Sequence, residues 1–173
     1  MTRVRPCHHR DAHSAYPATA APPTLAYMTE QTTNVSTDVD NAHTVEVFLA
    51  ALQDEDYDGA AAVLDENVAY QNVGFPTIHG RARTVNLFRG MQGRMGFEVK
   101  IHRIAVNGSS VLTERTDALV FGPLRVQLWA CGIFEVSNGR ITLWRDYFDL
   151  WAVTKGLVRG LVGAVVPALR PTM

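Results

Sequence analysis

FEVKIHRIAVNGSSVLTERTDALVFGPLRVQLWACGIFEVSNGRITLWRDYFD, residues 97–149, reads as four β-strands joined by tight turns. The turns stand out first. In Asn107-Gly108 and Asn138-Gly139 both residues tolerate positive φ, which the twist of a two-residue hairpin requires. Gly122-Pro123 is a third break. The runs between them are rich in Val, Ile, Phe and Trp and place strands at Phe97 to Val106, Ser110 to Phe121, Leu124 to Val136 and Arg140 to Asp149. Four strands linked by short hairpins make an antiparallel meander.

Upstream the period changes. Val45, Phe48, Leu49 and Leu52 recur at helical spacing, with Asp40 or Asn41 able to cap that helix. A second helix is expected over about Tyr57 to Leu64 and a third over about Arg81 to Met91. Between them a short strand, Val68 to Val73, ends at Gly74 and Pro76. A last apolar helix, about Leu150 to Val166, follows Asp149 as its cap. Helices first and then a strongly bent sheet make an α+β domain.

The 173 residues suffice for one domain and a tail. Residues 1–39 show no sustained period and read as a disordered leader, leaving residues 40–173 as the single folded domain. Met28 looks like the natural start, with an upstream extension before it. Cys7, His8, His9 and His13 are metal-capable side chains, but a disordered basic leader is the simpler account of them. With 16 basic and 17 acidic residues, no basic nucleic-acid surface is expected. Cys7 and Cys131 do not suggest a disulfide framework and fit a reducing cytoplasm. The most apolar segment, Leu150 to Leu169, is interrupted by Lys155 and Arg159, so no membrane span is expected.

Polar residues embedded in the strands are the candidates for chemistry. Tyr70 and Asn72, and Arg115 and Asp117, are two apart, so each pair shares one face of its strand. Asp146 shares a face with Thr142, Trp144 and Phe148, where a carboxylate is costly unless paired and hydrogen-bonded. Both faces of VLTERTDALVF are mixed, so Arg115 and Asp117 read equally as an exposed ion pair or as part of a pocket. Asp146 also reads as a structural anchor. Tyr70 and Asn72 can each donate to and accept from a water. No serine lies in a nucleophile elbow, and no phosphate or dinucleotide loop is present. Cys131 reads as a buried small hydrophobe. Gly156 and Gly160 form a small-xxx-small pattern suited to helix packing.

YQN (Tyr70 to Asn72), ERTD (Glu114 to Asp117) and WRDYFDL (Trp144 to Leu150), in this order and at these approximate separations, resemble the limonene-1,2-epoxide hydrolase family. The resemblance covers about Asn41 to the C-terminus. It implies a cone-shaped fold like nuclear transport factor 2, in which a curved mixed sheet and its helices enclose one pocket. It implies a homodimer with no metal and no organic cofactor. By motif match, Asp146 is similar to the family's general base, and Tyr70 and Asn72 to the residues that help it hold a water. Asp117 matches the general acid and Arg115 the cation bridging the two carboxylates. The loop near Gly122-Pro123 looks shorter than in the limonene enzyme, which bears on substrate identity.

The expected chemistry is one-step, cofactor-independent hydrolysis of an epoxide to a vicinal diol. Ionised Asp146 takes a proton from water while protonated Asp117 gives one to the epoxide oxygen. Trp144, Phe148, Leu119 and Trp129 are the expected apolar walls, suiting a terpene, sterol or fatty-acid epoxide. Two other functions compete on this fold. An isomerase needs a base beside a Tyr and a neutral acid, which the Arg115 charge opposes. A non-catalytic lipid-binding protein would leave the polar set without a task. A weaker third idea places the final helix on a membrane surface through Lys155, Arg159 and Arg170.

Overall fold

The computed structural model describes residues 25–169. The helix α1 (Leu25–Gln53) is followed by α2 (Tyr57–Ala62), β1 (Leu64–Asn72), a two-residue strand β2 (Ile78–His79) and α3 (Arg81–Arg89). Then come β3 (Gly96–Asn107), β4 (Ser110–Phe121), β5 (Leu124–Ser137), β6 (Arg140–Tyr147), α4 (Leu150–Val165) and a 3₁₀ turn at Pro167–Leu169. The strands form one open sheet in the order β2-β1-β6-β5-β4-β3. The meander from β3 to β6 is antiparallel, as its turns require. The sheet is mixed because β1 pairs in parallel with β6.

The turns follow backbone chemistry. Asn138 and Gly139 have φ of 51° and 69°, so both central positions of the β5–β6 hairpin are left-handed. At the β3–β4 hairpin, Asn107 is the last paired residue, opposite Ser110. The turn there is Gly108-Ser109, with the positive φ on Gly108 alone. One residue in β3 breaks the ladder. Ile101 pairs with Arg115 and Arg103 with Glu114, so His102 is an extra residue. Its ring leans outward onto Trp129 at 4.6 Å between centroids, and its Nε2 lies 2.8 Å from Thr116 Oγ1.

The core lies between the sheet and α1. Val45, Phe48, Leu49 and Leu52 are buried, as their spacing predicts. Phe48 meets Trp144 edge-on at 4.9 Å and Phe134 at 6.3 Å. Two upstream expectations change. Helix α1 starts fifteen residues before Asp40, so residues 25–39 of the expected leader are helical. That stretch contains no Gly or Pro to stop propagation outward from the packed segment, and its polar composition hides the helical period. Asn41 therefore does not cap the helix. Its Nδ2 instead donates to Gly108 O at 2.9 Å, tying α1 to the β3–β4 turn. The Cys7–His13 cluster lies outside the described residues. Leu64, expected to end α2, begins β1 and is buried in the core.

Parity in β6 also differs from strict alternation. Glu135 pairs with Leu143 but Val136 with Ile141, which leaves Thr142 as the irregular residue. Ile141 is thus buried in the core, and Thr142 donates its hydroxyl to Glu135 O at 3.2 Å. Helix α4 starts at Asp149, whose carboxylate accepts from Trp151 N at 2.8 Å. Its glycines do not pack against another helix. A Cβ on Gly156 would lie 2.4 Å from Gln127 O, and one on Gly160 2.3 Å from Arg125 O. The small residues let α4 lie directly on the backbone of β5. No helix among the described residues is long and apolar enough to cross a membrane.

Candidate active site

β4 turns Val111, Thr113, Arg115 and Asp117 inward. This resolves the ambiguity of its sequence: Arg115 has no exposed surface and Asp117 only 6%. The Arg115 Nε donates to Asp117 Oδ1 at 2.9 Å and Oδ2 at 3.1 Å, and its Nη1 donates to Thr113 Oγ1 at 3.0 Å. Its Nη2 lies 2.6 Å from Asp146 Oδ2 on β6. One guanidinium therefore touches two carboxylates on different strands. The Asp146 contact is an ion pair whose N–H is not aligned for a hydrogen bond, and Asp146 Oδ1 makes no well-aligned hydrogen bond to protein.

The parallel pairing of β1 with β6 supplies the remaining members. It sets Tyr70 beside Trp144 and Asn72 beside Asp146. Asn72 Nδ2 donates to the Tyr70 hydroxyl oxygen at 2.7 Å. Tyr70 stacks on Trp144 at 4.1 Å between ring centroids, which fixes the ring. The Trp144 indole N–H is buried on the same face two residues away, near enough to the Asp146 carboxylate to favour its ionised form without a well-aligned hydrogen bond.

All four of Tyr70, Asn72, Asp117 and Asp146 line one cavity of about 360 Å³, and Arg115 lies behind the two acids. Of the expected walls, Trp144, Phe148 and Leu119 line it. Trp129 does not. Register places Trp129 and Cys131 on the outer face of β5, because Ala130, Gly132 and Phe134 take the inner one. Trp129 is 51% exposed, and Cys131 is exposed rather than buried. Walls that the sequence did not single out come from elsewhere: Phe75 and Phe88 after β1, Met95 and Phe97 at the start of β3, Leu128 on β5, and Leu150 and Val153 on α4. Their signal in the sequence is only hydrophobicity, which core positions share.

Burial and charge work against each other here. Burial pushes the Asp117 carboxyl from its ordinary 3.8 up to about 6, with the Arg115 charge pulling down and Asp146 adding to the rise. Burial also raises Asp146, again against the pull of Arg115. For Arg115, burial disfavours the charge, but the two carboxylates outweigh that and hold it protonated. Burial, then the Asp146 carboxylate, raise the Tyr70 phenol, so it stays neutral. Two carboxyls and one fixed cation thus favour a single shared proton.

A stability consequence follows from the sign of the Asp117 shift. Its folded pKa lies above the unfolded one, so its contribution is complete below pH ~4 and is lost as pH rises through about 6. At ~1.4 kcal/mol per pH unit the loss is on the order of 2–3 kcal/mol. In urea titrations, Asp117→Asn is expected to show a flatter decline between pH 4 and pH 7 than the wild type. Parallel curves would remove Asp117 as the cause.

Sequence comparison adds a family to this geometry. The limonene-1,2-epoxide hydrolase catalytic domain matches residues 39–159. The chain belongs to the limonene-1,2-epoxide hydrolase family. Membership places it among the epoxide hydrolases. Epoxide hydrolase EphG of Mycobacterium tuberculosis (strain ATCC 25618 / H37Rv) is 56% identical over 149 residues, which are 86% of this chain and 100% of that protein. The structure of an M. tuberculosis epoxide hydrolase described as similar to the limonene enzyme superposes with a TM-score of 0.77 at 60% identity. It covers 79% of this chain and 97% of that one. An NTF2-like protein from Cytophaga hutchinsonii ATCC 33406 shares the fold alone. Its TM-score is 0.55 at 22% identity, over 66% of this chain and 94% of that one. The α+β cone expected from the strand motifs is therefore the fold of this limonene-1,2-epoxide hydrolase relative.

Proposed function

We propose that this chain opens a bulky lipophilic epoxide to a vicinal diol by one-step attack of water, with Asp146 as base and Asp117 as acid. The observation that carries the reading is the placement of Arg115 against both carboxylates at the wall of one cavity. An epoxide is strained but leaves as a poorly stabilised alkoxide. Its opening needs a nucleophile at carbon and a proton at oxygen together. Water attacks a ring carbon and gives its proton to Asp146, while the carbon–oxygen bond breaks and the oxygen takes the proton of Asp117. The pair's single proton has then moved from one acid to the other. Because one carboxyl gains a proton as the other loses one, the net charge of the triad is unchanged, and Arg115, in contact with both, faces one carboxylate before and after the step. Each proton transfer supplies roughly 10²–10⁴-fold.

Asp146 Oδ1, which makes no well-aligned hydrogen bond to protein, is the oxygen that accepts the proton from water. Asn72 lies beside it in the sheet and the Tyr70 hydroxyl is linked to Asn72, so both can orient that water. The other walls are apolar, and a cavity of about 360 Å³ suits a lipophilic substrate of terpene, sterol or fatty-acid type. No metal or organic cofactor has a part in this scheme. We place the enzyme in the cytoplasm as a homodimer. Apolar residues left exposed on α4, among them Trp151 at 66% and Val165 at 83%, support a partner surface.

Single-turnover conversion of a panel of lipophilic epoxides in ¹⁸O-water tests the mechanism. Direct attack places solvent ¹⁸O in the first diol released. Unlabelled first-turnover diol would mean that a protein carboxylate attacks instead. Product with no added mass would indicate isomerisation, and binding without turnover a carrier role.

A further inference from the structure

Arg115 and Asp146 are not opposite each other in the sheet. Arg115 on β4 is in register with Ala130 of β5, whereas Asp146 on β6 is in register with Gly132. To touch Asp146, the guanidinium must cross β5 diagonally over position 132. A Cβ there would lie 2.2 Å from Arg115 Nη1, 2.8 Å from Thr113 Oγ1 and 2.9 Å from Phe134 Cε2. No side-chain carbon tolerates such contacts. Arg115 cannot step aside cheaply, since it is fully buried and held at Nε by Asp117 and at Nη1 by Thr113.

The backbone gives no other reason for glycine. Gly132 is absent from the positive-φ glycines of the chain and pairs with strands on both sides. Glycine inside a strand is entropically unfavourable and commonly marks a close approach of another group. Here that group is the guanidinium. We propose that Gly132 is a positioning residue: the missing side chain opens the gap through which Arg115 reaches from the acid on β4 to the base on β6. This rests on the acid–base reading of the pair, yet its physical content is steric and can be tested apart from it.

The test compares wild type, Gly132→Ala, Arg115→Ala and the double variant. Asp146 and Asp117 are followed by carboxyl ¹³C NMR titration, and stability by urea unfolding. Gly132→Ala is expected to move the Asp146 midpoint to higher pH, because the guanidinium is displaced, and to lower kcat for diol formation by roughly 10²-fold. In the Arg115→Ala background the same alanine is expected to leave the carboxyl midpoints unchanged and to cost less stability than in the wild type, since only the contacts with Thr113 and Phe134 remain. If Gly132→Ala alone fails to fold but the double variant folds, the steric account is upheld. An unchanged Asp146 midpoint in folded Gly132→Ala overturns it. So does an equal loss with and without Arg115, or failure of both alanine-132 proteins to fold. If the wild type makes no diol from any epoxide, the functional reading fails, while the titrations still decide the role of Gly132.

Discussion

Asp146→Asn is expected to lower kcat for epoxide opening by about 10²–10⁴-fold with KM little changed. The amide fills the same volume and keeps an oxygen to face Arg115, so the cavity keeps its shape. It cannot take a proton from water, and Asp146 is the acid with an oxygen that makes no well-aligned hydrogen bond to protein. The substitution also deletes a buried charge whose pKa is raised by burial, so the variant is expected to unfold at no lower urea concentration than the wild type at pH 8. Steady-state kinetics with urea unfolding checks both parts. A rise in KM at constant kcat would make Asp146 a binding group and leave the base unassigned.

Arg115→Met should have the largest effect on stability. Methionine replaces much of the volume but leaves two carboxyls without their shared cation. Breaking a buried pair in this way costs about 3–5 kcal/mol when the orphaned group is charged. The sign with pH is definite. Without Arg115 both carboxyls, already raised by burial, rise further. The deficit relative to wild type should be near its full size at pH 8 and shrink toward pH 4, where protonated carboxyls tolerate burial. Activity should fall as well, because loss of the cation disfavours the ionised form that the base requires. Urea unfolding at the two pH values separates the causes. A deficit independent of pH would point to lost packing, including the Arg115 contact over the Phe134 ring at 5.9 Å.

The parts of the fold legible in the sequence were those governed by local chemistry. Asn138-Gly139 specified its own hairpin, Asp149 its own helix cap, and the Val45–Leu52 spacing its buried face. The residues of the candidate site were legible as polar interruptions of apolar strands, and the roles proposed for them came only through motif resemblance. What failed depends on partners distant in sequence. Arg115 to Ala118 are buried in an unbroken run, so alternation in β4 could not say which face held the acid. Trp129 was assigned to the cavity on hydrophobicity alone, and its true direction follows from the register of β5 against β4. Nothing local announces that β1 pairs in parallel with β6. The early start of α1 escaped notice because polar residues carry no apolar period.

The parallel pairing of β1 and β6 also bears on how the protein comes to be active. Asn72 and Asp146 are neighbours in space but belong to segments on either side of the whole meander. Loop closure over so much chain is entropically slow, and such contacts form late. A chain with only the β3–β6 meander formed holds Arg115, Asp117 and Asp146 but not Tyr70 or Asn72. The full polar set of the cavity is therefore assembled only where β1 lies on β6.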